Sequence, residues 1–122
     1  MNSYGLILLT YKNKVLLMYK QKGVLDQEKH AWGLISVTGN QNLPLEKTLI
    51  SRVQEEMGIK VENVERITEN YYHARLTDEN VNNIQRSEHQ LLDFFTLKET
   101  EKLFLSDETS KYIYAYSQLI TL

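Results

Sequence analysis

Apolar and polar positions follow two different periods along this chain, and the points where the period changes mark its elements. Tyr4-Gly5-Leu6-Ile7-Leu8-Leu9-Thr10 is a continuous apolar run, which predicts a strand buried on both faces. Tyr11-Lys12-Asn13-Lys14 is a polar turn, and Val15 to Tyr19 follows as a second strand, so a hairpin is the simplest arrangement. From Lys20 to Ala31 the chain turns polar and reads as an exposed loop. Trp32 onward is poor in helix formers and carries Gly33 and Gly39, which predicts a strand running into a loop.

At Pro44 the period changes to that of a helix. Leu45, Leu49 and Val53, with Ile50 and Met57 alongside, recur at three- and four-residue spacing and make one apolar stripe. The stripe predicts a helix of about three to four turns, with Pro44 in its first turn, Gly58 as its C-terminal cap and Lys60 just beyond. Ile59 to Val64 and Arg66 to Leu76 are rich in alternating and β-branched residues, predicting one long strand or two short ones. Asp78 to Asn83 reads as a surface loop, and Arg86 to Lys98 as a strand covered on both faces except at Asp93. Glu99 to Leu105 is a connector. Ser106 or Asp107 then caps a final helix whose stripe is Tyr112, Tyr116 and Leu119, with Ile113 and Ile120 beside it. Five strand candidates around a central and a terminal helix predict an α/β fold, with helices packed on a mixed sheet.

Composition narrows the function classes. A chain of 122 residues suits a single domain, residues 1–122. Its 14 basic and 16 acidic residues leave a net charge of -2, which argues against a general nucleic-acid grip or a polybasic membrane contact. The longest apolar run is far short of a membrane span and no signal peptide opens the chain. There is no cysteine, hence no disulfide framework and no thiolate metal site. A cytoplasmic domain is the natural expectation.

The candidate chemistry lies in the middle helix. Glu55 and Glu56 stand in its last turn, where the helix dipole disfavours negative charge. They are either solvated surface residues, with Glu56 paired to Arg52 four positions earlier, or part of a divalent-cation site, since Mg²⁺ is held by one or two carboxylates and completed by substrate phosphates.

The segment Trp32 to Ile59 resembles the Nudix hydrolase box. Val53-Gln54-Glu55-Glu56-Met57-Gly58-Ile59 matches the end of that pattern without a gap, and Trp32-Gly33-Leu34 is similar to the tripeptide that often leads into it. The rest of the box departs from the pattern: its opening Gly falls on Val37, its first Glu on Leu43, its Arg on Ser51 and the following Glu on Arg52. The resemblance implies an α/β/α sandwich with a mixed sheet and both helices packed on it, over Tyr4 to about Leu119. It implies a pyrophosphohydrolase using Mg²⁺ or Mn²⁺ on a nucleoside diphosphate-linked small molecule, with homodimers common. Catalysis and metal binding fall to Glu55 and Glu56, with Glu88 as general base or further ligand. Lys20, Lys22, His30, Trp32 and Arg52 are the substrate contacts, against the alternatives of solvated loop charge for the polar residues and simple core packing for Trp32.

The departures cut at different levels. Ser51, Val37 and Leu43 bear on the order of the box loop, which Gly39, Asn40 and Asn42 form by a different turn. Arg52 bears on chemistry, because a guanidinium one turn before Glu56 stands where the cation would sit and neutralises that carboxylate. Three readings follow: a weakened or specialised hydrolase, a domain that binds a phosphorylated ligand without cleaving it as a sensor or regulatory module, or an interaction scaffold using its eight tyrosines.

Overall fold

A computed structural model describes residues 3–20, 31–39, 44–86 and 90–121, with the side chains of Ser3, Lys20 and Gln90 excepted. Along the chain the elements are β1 (Ser3–Tyr11), β2 (Lys14–Lys20), β3 (Trp32–Gly33), β4 (Ile35–Gly39), α1 (Leu45–Met57), β5 (Glu65–Arg66), β6 (Tyr71–Arg75), α2 (Asp78–Asn82), β7 (Gln90–Thr96), α3 (Leu97–Thr100) and α4 (Asp107–Ala115), followed by a 3-10 turn at Ser117–Leu119. The result is the expected mixed α/β fold, a sheet with helices packed on it. Among the described residues no helix is long and apolar enough to cross a membrane.

The elements group into two compact units. The first comprises Met1–Leu9 and Ile35–Gln85. Here β1 pairs antiparallel with β4, from Ser3 opposite Gly39 to Ile7 opposite Ile35. The strand alternates as a half-covered strand should: Ile35, Val37 and Gly39 are buried while Ser36 and Thr38 are exposed. On the other side of β1, Leu6 N–H donates to the Asn70 carbonyl at 2.8 Å and the Asn70 side-chain amide donates to the Tyr4 carbonyl at 2.6 Å. β5 and β6 form an antiparallel ladder in which Glu65 faces His73.

α1 packs over β4 and β1 in this unit. Its stripe is the predicted one, with Leu49, Val53 and Met57 buried, each contributing about 1.5–3 kcal/mol by leaving water. The helix packs closely over Gly5 of β1, where a Cβ would stand in ordinary contact with Leu49 at 3.4 Å and the Asn70 carbonyl at 3.6 Å. Gly58 closes the helix as expected, in the left-handed conformation at φ 72°, its N–H donating to the Gln54 carbonyl. Pro44 differs by one position: its extended ψ of 138° makes it the cap residue rather than part of the first turn.

The second unit comprises Thr10–Leu34 and Arg86–Leu122. The β1–β2 hairpin forms as predicted, with Thr10 opposite Val15 and Tyr11 opposite Lys14. Lys12 and Asn13 both take positive φ, 47° and 66°, the geometry whose twist matches a two-residue hairpin. β2 pairs along its length with β7 and at its end with β3. α4 is capped by Ser106, whose hydroxyl accepts from Thr109 N–H, and it buries Tyr112 and Ile113.

Several expectations are corrected. Ile59 to Val64 is irregular, because Asn63 at φ 56° breaks the extended path, and only Glu65–Arg66 pairs as a strand before β6. The predicted loop at Asp78 contains α2, held by a reciprocal capping box between Thr77 and Asn80. α3 takes the last two residues of the predicted strand, Leu97 and Lys98, and the first two of the predicted connector, Glu99 and Thr100, and is held by the same device between Thr96 and Glu99. β7 is described over Gln90–Thr96, Arg86 is not in a strand, residues 87–89 lie outside the described residues, and Leu91 as well as Asp93 is exposed on β7. α4 ends at Ala115, so Tyr116 and Leu119 follow the helix and are half-buried.

Candidate functional site

The candidate residues of α1 belong to the first unit. Helical spacing places the buried Leu49, Val53 and Met57 on one side, so Arg52, Glu55 and Glu56 fall toward its polar flank. Glu55 is exposed and Glu56 is partly covered. Arg52 Nη1 stands 3.5 Å from Glu56 Oε1, with 45% of the arginine side chain and 18% of the glutamate side chain accessible. The pairing that the sequence raised as an objection to metal binding is therefore formed. It is a weak contact: an exposed i,i+4 pair contributes about 0.3–0.5 kcal/mol, and arginine N-terminal to glutamate is the less favourable order.

Of the remaining candidates, only Trp32 is described with its side chain. Trp32, in the second unit, is half-buried between Tyr19 at 5.2 Å and Phe95 at 4.9 Å, the latter edge-on. Its N–H donates to the Phe104 carbonyl at 2.9 Å and its own carbonyl accepts from Ser106 N–H at 3.0 Å, so its backbone and ring are both engaged in packing that unit. Lys20 ends β2 opposite Gln90, with its side chain outside the described residues. Lys22, His30 and Glu88 lie outside the described residues, as do the loop residues Asn40 and Asn42.

The first unit also holds two open cavities that no sequence pattern announced. One of about 450 Å³ lies past the end of α1, where Lys60, Glu62, Asn63, Arg75, Thr77 and Glu79 are among its lining residues. The other, of about 520 Å³, lies at the start of α1 against Arg66, Glu69 and Tyr72. Lys60 and Arg75 went unnoticed because isolated cations at an irregular turn and at a strand end make no motif; only folding brings them to one cavity. Beside Arg75, burial lowers the His73 pKa, the Arg75 guanidinium lowers it further, and Glu65 partly offsets both.

No protein-family pattern matches the sequence, and no curated protein sequence matches it. Solved structures do match. The MutT Nudix hydrolase of Burkholderia pseudomallei superposes with a TM-score of 0.67 at 17% identity, covering 92% of this chain and 98% of that one. A MutT/Nudix family protein of Listeria innocua gives 0.70 at 14% identity, covering 95% and 92%. The chain has the Nudix fold. A third similar structure is the Nudix domain of Shewanella oneidensis NrtR in complex with ADP-ribose, with a TM-score of 0.66 at 15% identity, covering 95% and 86%.

Nudix hydrolases generally use a divalent metal. The described residues do not fit a full ligand set for one. No group of three His, Asp or Glu side chains comes together among them. The carboxylate pair on α1 is flanked by a cation that already faces Glu56. What α1 presents on its polar flank is the Arg52–Glu56 ion pair with the exposed Glu55 next to it in sequence.

Proposed function

We propose that this chain binds a small molecule in which a nucleoside diphosphate is joined to a second group, and that it cleaves that molecule slowly or not at all. The Arg52–Glu56 pair at 3.5 Å carries this reading. In a metal-assisted cleavage of a pyrophosphate, the protein's task is to hold the ion and neutralise developing charge on the phosphoryl oxygens. A guanidinium beside Glu56 neutralises one of the two carboxylates available for that task and repels a divalent ion at short range. The ligand class is supported by the fold, which is shared with a domain seen holding ADP-ribose.

A second reading is a Nudix-type pyrophosphohydrolase using Mg²⁺ or Mn²⁺, with Glu55, Glu56 and Glu88 in the metal and catalytic roles. The specific observation in its favour is the weakness of the exposed pair, which a strongly bound ion would displace. One experiment separates the two. The full chain is incubated with ADP-ribose, ADP-glucose, NADH, dinucleoside tetraphosphate and 8-oxo-dGTP, with Mg²⁺ or Mn²⁺, while thermal shift and the release of nucleoside monophosphate, phosphate or pyrophosphate are followed together. Binding without turnover is the expected result. Metal-dependent release of phosphate or a nucleoside monophosphate, lost in Glu56→Gln, would instead establish the hydrolase.

A further inference from the structure

We infer that Arg52 is the built-in counter-charge for the phosphates of the ligand, so that binding at α1 needs no divalent ion, with Glu56 holding the guanidinium between binding events. The inference rests on the ligand class proposed above. It concerns how the same site meets that ligand's charge.

The arrangement of α1 supports it at three points. The guanidinium is placed by a helix whose opposite side is locked into the core through Leu49, Val53 and Met57, while the Arg52 side chain itself is 45% accessible to a ligand from solvent. The contact to Glu56 at 3.5 Å is longer than the about 2.7–2.9 Å of a charge-assisted hydrogen bond, so it is an ion pair that gives up little when exchanged. A guanidinium presents a planar fork that matches two phosphate oxygens at once, which a single carboxylate at 3.5 Å does not exploit.

The carboxylates then take a different part. Glu56 lies in the last turn, against the negative end of the helix dipole, and the arginine relieves that unfavourable placement in the absence of ligand. When phosphate takes the guanidinium, Glu56, with 18% of its side chain accessible, loses its partner. Glu56 therefore competes with the ligand, and its removal strengthens binding. A metal-centred site makes the opposite demand, because there each lost carboxylate weakens the hold on the ion and on the phosphates bridged through it.

Calorimetric titration of the full chain with the same panel, in EDTA and again in Mg²⁺ or Mn²⁺, reads the difference. The expected result is an affinity that differs less than about twofold between the two buffers, falls by about tenfold or more in Arg52→Gln, and rises by about twofold in Glu56→Gln. Arg52→Lys, which keeps the charge and loses the fork, falls between. A circular dichroism melt checks that each variant is folded, and Glu56→Gln keeps the test open if Arg52→Gln is not. Binding seen only with Mg²⁺ or Mn²⁺ overturns the inference while leaving the ligand class standing. So does an unchanged affinity in Arg52→Gln or a weakened one in Glu56→Gln. No binding of any panel member in either buffer removes the ligand class and the inference together.

Discussion

At the scale of single residues, the proposed site turns on Arg52, which faces Glu56 at 3.5 Å. Reversing its charge tests the geometry: Arg52→Glu places two carboxylates four residues apart on one helix flank, with Glu55 adjacent. We expect that variant to bind Mn²⁺ measurably more tightly than the parent in calorimetry; an unchanged titration would mean that positions 52 and 56 do not face a common ion. A second residue makes a pH-dependent contribution. His73 is buried, with its Nδ1 4.0 Å from Glu65 Oε1, and its pKa is lowered from 6.5 by burial and by Arg75. The folded state therefore binds its proton less readily than the unfolded chain, so stability is full above about pH 6.5 and is lost as pH falls through the folded value. Urea unfolding of His73→Gln should show a shallower loss of stability between pH 7 and pH 5 than the parent, and equal slopes would refute the assignment.

At the scale of elements, caps explain both what was legible and what was not. Gly58 was readable as the end of α1 because a glycine directly after an apolar stripe has a conformational reason to be there. At φ 72° an alanine is strained, and its Cβ would meet the Gln85 side chain at 2.7 Å. Gly58→Ala should cost about 1–2 kcal/mol in urea unfolding; a neutral result would argue against the left-handed cap. α2 and α3 were missed because five and four residues are too few to show a helical stripe. Thr96-Leu97-Lys98-Glu99 did carry the sequence signature of a capping box, the one local sign that could have revealed α3. The box has an electrostatic counterpart: Thr96 N–H and hydroxyl bond the Glu99 carboxyl and lower its pKa. Thr77-x-x-Asn80 closes the same circuit with an amide, which the signature does not include.

At the scale of the molecule, β1 belongs to both compact units, Ser3 to Leu9 in one and Thr10–Tyr11 in the other, without a break in the strand. We expect a single cooperative unfolding transition for that reason. Trp32 is the only tryptophan, and it packs among Tyr19 and Phe95, so its fluorescence reports on the second unit while far-ultraviolet circular dichroism is dominated by α1 and α4. Superimposable denaturation curves from the two probes would support one domain, and separated midpoints would reject it.

Sequence alone determined the parts whose cause is local and periodic. These are the buried apolar strand, the two-residue hairpin, the stripe and cap of α1, and the substitution of a cation into the carboxylate pattern. Periodicity and capping act over a few neighbouring residues, so they are written wherever those residues stand. Tertiary structure decided the rest. It turned Trp32 toward its aromatic neighbours and gathered Lys60 and Arg75 around one cavity. Those outcomes depend on which side chains meet after the backbone has closed, and a long flexible side chain carries no record in the sequence of the partner it will choose.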